Sequence, residues 1–368
     1  MLESLFLIGF AIVVLPPILE KIHINVRAGE VITGILVAAV APTIVQQQWI
    51  AALAELGLLI LMFEIGLDID VDRVKDRWEE SLKYATVSFF VPATLLFITL
   101  YAWLMQPYVA LLIAVGLSST AMAVVSPLMD RRNIDSTLIK DAAMFSEMIG
   151  ISLLVAFVQG QNAPSGSLIT QAFAIFGFVM FAIFIVPRLV DKLKFLSSKS
   201  AVNVETKLVL FIVIALALVS EQLGTHAATG AFMAGLFFSE STHRGLQLEE
   251  RISPIADLMV PIFFFRIGTQ LPLTAVTRDV LLAAAGMAVL VHGIRLAAFR
   301  GLATVSDIVY DFEKINLFAP CITITATAAS IGLSMGVLST ELFATFLTAG
   351  LTLTVLGPFA SRLASTLR

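Results

Sequence analysis

The chain has little of what builds a soluble catalyst. Only 14% of its 368 residues are charged, against about 25% in a typical globular chain, and this excludes a soluble enzyme. A single cysteine, Cys321, rules out a disulfide within the chain and a thiolate metal cluster. The four histidines, His23, His226, His243 and His292, show no ligand spacing, so neither a metal site nor any other cofactor is expected. The net charge is only −4, and no basic face of the kind that binds nucleic acid is present.

What the chain does have is apolar length. Hydrophobic residues make up 58% of it, and the mean hydropathy is +0.96. They fall in long runs separated by short polar loops, the pattern of an all-α polytopic membrane protein in a lipid bilayer. Thirteen segments are expected, the first six at about Leu5 to Leu19, Ala28 to Ala41, Trp49 to Leu67, Tyr84 to Leu104, Tyr108 to Leu128 and Ala142 to Val158. A seventh, Leu168 to Pro187, acts as a connector. The last six are Leu208 to Leu223, Ala227 to Phe238, Leu258 to Leu273, Val280 to Phe299, Ile315 to Ser334 and Leu342 to Leu363.

Basic residues concentrate in cytoplasmic loops. With the N-terminus outside and the C-terminus cytoplasmic, 20 of the 23 Lys and Arg residues fall inside. Arg278 alone falls outside, and Arg266 and Arg295 lie within apolar runs. A twelve-span count breaks this alternation. Glu3 and the lack of a basic leader mark the first segment as a retained span and not a signal peptide.

The two halves resemble each other at an offset of about 201 residues. Gly29, Thr33 and Gly34 of "AGEVITGIL" match Gly230, Ala234 and Gly235 of "TGAFMAGLF", and "MFEIG" ending at Gly66 matches "FFRIG" ending at Gly268. The offset spans seven segments, an odd number, so equivalent helices run in opposite directions, as in the inverted repeats of secondary transporters. The expected organisation is therefore a first repeat over 1–167, a linker helix and basic loop over 168–207, and a second repeat over 208–368.

In such folds the substrate site lies near the midplane, where paired helices are discontinuous. Segment five reads "VGLSSTAMAVVSP" and segment twelve "APCITITATAASIG", each rich in small and hydroxyl residues near mid-membrane and flanked by Pro127 or Pro320. These residues suit ion coordination by unwound carbonyls and hydroxyls; they also suit close helix packing.

"TGAFMAGLFFSES" (229–241), "LEERISPIADLMVPIFFFRIG" (248–268), "LLILMFEIGLDID" (58–70) and "GLSSTAMAVV" (116–125) together resemble the monovalent cation:proton antiporter superfamily, in its Kef-type and sodium/proton-exchanger-like branch. The resemblance covers nearly the whole chain. It implies a homodimer in a bacterial or archaeal plasma membrane. In it a core bundle of segments four to six and eleven to thirteen moves against a dimerisation domain, exchanging a monovalent cation for protons. The family carries an essential Asp in segment six. Here "DAAMFSEMIGISLL" places Glu147 there, preceded by Ser146. The family's "RGEF"-like stretch is absent from segment twelve, and regulation through a nucleotide-sensing soluble domain is not expected of the chain as given.

Glu147 lies six residues beyond Asp141, about 9 Å along a helix and near mid-span. A carboxyl there holds a proton when buried alone and a cation when one is near, but not both. Ser146, Ser119, Thr120 and Thr325 offer neutral oxygens suited to a hard cation. Arg295 and His292, in segment eleven, are the charge-compensating candidates, since the resemblance implies a base there that pairs with the segment-six acid. The other accounts are that Arg295 snorkels to the headgroups and that His292 is a packing residue. Glu64 and Arg266 occupy equivalent repeat positions and read as gate or structural charges. The expected function is Na+ or K+/H+ antiport by alternating access. The alternatives are a sodium-coupled organic-anion symporter, which needs a substrate-pairing base such as Arg266 or Arg295, and a non-transporting sensor on the same scaffold.

Overall fold

The computed structural model describes residues 2–21, 24–45, 47–67, 78–132, 137–162, 204–222, 227–239, 242–304 and 311–366. In chain order its α-helices are α1 (Leu2–Lys21), α2 (Val26–Val40), α3 (Pro42–Val45), α4 (Gln48–Leu67), α5 (Trp78–Leu104), α6 (Pro107–Ser118), α7 (Met122–Arg132) and α8 (Thr137–Asn162). They continue with α9 (Val204–Gln222), α10 (Ala227–Ser239), α11 (Thr242–Thr269), α12 (Arg278–Leu302), α13 (Phe312–Ile315), α14 (Ile322–Ser334) and α15 (Thr340–Thr366). A 3₁₀ turn, Asn316–Phe318, extends α13. No strand occurs among the described residues.

Twelve of the thirteen expected segments fall on these helices. The seventh, with most of the linker that follows it, lies outside the described residues. Seven helical stretches among the described residues are long and apolar enough to cross a membrane. Their flanks are set by local chemistry. Asn25 caps α2 by accepting the Arg27 N–H at 2.9 Å, Thr277 caps α12 through Val280, and Asp311 caps α13 through Glu313 and Lys314. Large apolar side chains stand exposed on α1 (Phe6, Phe10, Val13), α9 (Phe211, Leu218) and α12 (Leu282, Val289), as hydrocarbon surroundings require.

The chain divides into two compact units. The first comprises Met1–Ile50, Arg77–Leu154 and Phe264–Arg368. Its core joins Tyr84 and Ala85 of α5, Val125 and Met129 of α7, Ala142 and Ala143 of α8, Phe299 of α12 and Phe318. Phe318 stacks on Phe299 with ring centroids 5.6 Å apart. The two alanines let α8 approach closely, which matters in lipid, where packing and not water exclusion holds helices together. In the same unit α2 crosses the end of α11 at Gly34 and Gly268. A Cβ on Gly34 would lie 2.0 Å from the Phe265 carbonyl oxygen, and one on Gly268 would lie 2.0 Å from that of Val31.

The second unit comprises Ala51–Asp76 and Val155–Phe263. Here α4 crosses α10 in the same reciprocal way. A Cβ on Gly66 would sit 2.3 Å from the Phe232 carbonyl oxygen, and one on Gly235 2.1 Å from that of Phe63. Gly230 meets the Leu216 carbonyl of α9 equally closely, at 2.1 Å.

Candidate ion site at two helix breaks

Two of the expected segments are interrupted, both in the first unit. Segment five stops at Ser118 and resumes at Met122, with Ser119 extended (φ −63°, ψ 162°). Ser118, Ser119 and Thr120 are of types that favour helix ends over helix interiors. Segment twelve stops at Phe318 and resumes at Ile322. Pro320 supplies no N–H there and so cannot continue the ladder.

Backbone groups freed inside a membrane need partners, and the two breaks supply much of each other's need. The Ala121 N–H donates to the Pro320 carbonyl at 2.7 Å, and the Thr120 hydroxyl donates to the Phe318 carbonyl at 3.0 Å. The Cys321 N–H reaches the Thr354 hydroxyl of α15 at 3.3 Å.

Charged side chains complete the arrangement. Arg295 of α12 is wholly buried. Its Nη2 donates to the Ser118 carbonyl at 2.8 Å, its Nη1 to the Phe318 carbonyl at 2.7 Å, and its Nε to the Ser88 carbonyl of α5 at 3.1 Å. One guanidinium thus faces the C-terminal, partially negative ends of both interrupted half-helices. On the other side of the break in segment five, Oε2 of the buried Glu147 accepts the Met122 N–H at 2.9 Å. A carboxylate therefore faces the partially positive start of α7. Ser146 lies beside it on α8, its hydroxyl 3.4 Å from that of Thr120.

The structure brings Glu147, Ser146, Thr120, Ser119 and Arg295 to the breaks. Ser119 packs against α8 one turn beyond Glu147, where a Cβ on Gly150 would lie 3.2 Å from both its Cβ and its Oγ. Thr325 is close by, but its hydroxyl donates to the Gly116 carbonyl at 3.0 Å, tying α14 to α6. Arg295 does not snorkel, since it is fully buried on three carbonyls. His292 bonds through Nε2 to Oδ1 of Asn316 at 2.8 Å. Arg266 is partly buried and donates to the Val45 carbonyl and the Thr269 hydroxyl, each at 3.2 Å. Glu64 is partly buried in the second unit.

Sequence reasoning did not choose as ion ligands two buried hydroxyls, those of Ser118 and Thr323, which have no hydrogen-bond partner. It also passed over Glu30, buried in α2 and paired with Arg27 at 3.2 Å. Arg27 in turn lies 5.7 Å over the Phe264 ring. The signal for this cluster was Arg27 and Glu30 three residues apart, a spacing that puts them on one helix face.

The family profile of the transmembrane sodium/hydrogen exchangers matches residues 8–363. The chain belongs to that family. It is thereby a member of the monovalent cation:proton antiporter superfamily, whose members are secondary transporters and not enzymes. Over 375 aligned residues it is 25% identical to the probable Na(+)/H(+) antiporter 3 of Methanocaldococcus jannaschii, covering 92% of this chain and 90% of that one. It is also 25% identical to the putative K(+) efflux antiporter KefB of Alkalimonas amylolytica over 74% of its length, and spans 42% of that longer protein. The fold matches the sodium proton antiporter MjNhaP1 of M. jannaschii at pH 8, with a TM-score of 0.71 and 15% identity over 100% of this chain and 97% of that one.

Proposed function

We propose that the protein is a secondary-active antiporter that exchanges a monovalent cation, Na+ or K+, for protons by alternating access, with Glu147 as the shared site. One observation carries this reading: a buried carboxylate stands at the start of a half-helix, where the two interrupted segments cross-bond. A carboxyl so placed holds a proton or faces a cation, and the competition couples the two fluxes. Ser146, Thr120, Ser119 and Thr325 add neutral oxygens around the cation. Arg295 compensates charge through the half-helix ends, and Arg266 and Glu64 act as structural or gate charges. The organic-anion alternative loses support because both candidate bases are already engaged with backbone carbonyls. The relatives' names leave the choice of ion between Na+ and K+.

We also infer thirteen spans in two inverted repeats, 1–167 and 208–368, joined by 168–207, with the C-terminus cytoplasmic and the protein a homodimer. The glycine crossings support the repeat, because shifting Gly34 and Gly66 by the repeat offset gives Gly235 and Gly268. The crossing of Gly34 with Gly268 then corresponds to that of Gly235 with Gly66. The test of function is proton movement driven by Na+, K+ or Li+ in proteoliposomes holding a trapped pH dye. Flux is expected from the wild type and not from folded Glu147→Gln. Flux that persists in this variant removes Glu147 from the site, and a wild type silent with every cation overturns antiport.

A further inference from the structure

His292 is a titratable side chain beside the breaks to which the exchange proposed above gives no part. It stands on α12 one turn before Arg295 and faces the 3₁₀ turn Asn316–Phe318. Asn316 is fully buried. Its Nδ2 donates to the Phe312 carbonyl at 2.5 Å, which turns Oδ1 toward the imidazole at 2.8 Å from Nε2. The nitrogen facing that oxygen must be the protonated one, because an amide oxygen only accepts. Nδ1 of the same ring is buried without a hydrogen-bond partner, so among the described residues the ring's hydrogen bond is the one to Asn316.

The turn held in this way ends at Phe318, whose carbonyl receives both Thr120 and Arg295. Two residues later the Pro320 carbonyl receives the Ala121 N–H. The links that Thr120, Arg295 and Ala121 make at the breaks thus end on the piece of chain that Asn316 anchors. We propose that His292 is a positioning residue: by donating from Nε2 to Asn316 it fixes the turn Asn316–Phe318, and with it the acceptors on which Thr120, Arg295 and Ala121 converge. It touches neither ion and sets the crossing through Asn316. The consequence for cation affinity rests on the antiport reading above, whereas the consequence for local geometry does not.

Cys321, the only cysteine of the chain, reports on that geometry. It is buried three residues beyond Phe318, with its Sγ 3.9 Å from the Gly350 carbonyl. The experiment measures N-ethylmaleimide alkylation of Cys321 in the full-length protein in liposomes, alongside the cation KM of exchange. Removing one member of a buried hydrogen bond leaves the other unsatisfied, so His292→Leu and Asn316→Leu are each expected to speed alkylation about fivefold or more. The cation KM should rise with it. His292→Gln offers an amide N–H to Asn316 and should return both readings to within about twofold of wild type. The double Leu variant should be no faster than Asn316→Leu alone, because that substitution already removes the bond to His292 along with the one to Phe312. Protection of Cys321 in both Leu variants overturns the proposal, as does failure of His292→Gln to rescue, or multiplication of the two effects. If His292→Leu does not fold, Asn316→Ala removes the same bond from the other side and carries the same criterion. A wild type that moves no ion removes the KM reading alone and leaves the alkylation result to decide the positioning role.

Discussion

Glu147 and Met122 are joined across two helices, the carboxylate Oε2 of one accepting the backbone N–H of the other at 2.9 Å. Met122 is the first residue of α7, so its N–H is one of those a helix start leaves without an intrahelical acceptor. The Glu147 side chain spans from α8 to this group. Glu147→Asp retracts the carboxylate by one methylene and is expected to lose the bond. Exchange in proteoliposomes should persist, slowed about tenfold or more through misplacement of the carboxylate. Rates equal to wild type would show that contact with α7 is irrelevant to turnover.

Arg295 makes a separate prediction, because its three carbonyl acceptors lie on three different elements. Lys keeps the charge but offers a compact ammonium on a flexible stem in place of a planar fork. Arg295→Lys therefore leaves one or two buried carbonyls unpaired, each at a cost of about 1–3 kcal/mol. The expected result is a lower melting temperature in detergent and loss of exchange. A variant as stable as wild type would mean that the carbonyls find other donors.

Much of this site was legible in the sequence as residue types and little of it as partners. Pro320 and the run Ser118–Ser119–Thr120 marked both interruptions, because a missing N–H and a run of weak helix formers are local properties. Glu147 stood out as a carboxyl deep in an apolar run. The role of Arg295 was not legible, since its partners are main-chain carbonyls, a group every residue carries. Thr325 looked like an ion oxygen by composition, yet its donor is spent on Gly116. Hydropathy also placed the start of segment ten at Leu258, whereas α11 begins at Thr242. The polar stretch before the apolar run is helical without being apolar, and a search for apolar runs passes over it. The short α3 was too brief to carry a period.

The two reciprocal glycine crossings predict a paired stability effect. In each, the atom that an added Cβ would meet first is a backbone carbonyl oxygen, at 2.0 Å for Gly34 and 2.3 Å for Gly66. Backbone cannot swing aside as a side-chain tip can, so Gly34→Ala and Gly66→Ala must push helices apart, costing about 1–3 kcal/mol. Gly286 in α12 is the control, with nothing within 4 Å of the added atom. Gly286→Ala should be neutral or stabilising by about 0.5–1 kcal/mol through helix propensity. Thermal melts of the three purified variants make the comparison, and equal shifts in all three would contradict the close-approach account.

Gly150 gives a graded probe of the proposed cation site, because the space beside it is tight without being closed. An added Cβ would lie 3.2 Å from Cβ and Oγ of Ser119 and 3.6 Å from Cγ1 of Ile324. The first atoms met belong to side chains, so the fold should survive while Ser119 shifts by a few tenths of an ångström. Ser119 is fully buried and its hydroxyl has no hydrogen-bond partner, so its side chain is held by packing alone. If that oxygen ligates the cation, Gly150→Ala should raise the cation KM several-fold with a melting temperature near that of wild type. Ser119→Ala should raise it further, because it removes the ligand where the other variant only displaces it. Lost ligation weakens cation binding without removing the carboxyl that holds the proton, so both variants should regain full rate at high cation concentration. If neither variant moves the KM, Ser119 is a packing residue and the cation is held by Glu147 with the oxygens of Ser146 and Thr120.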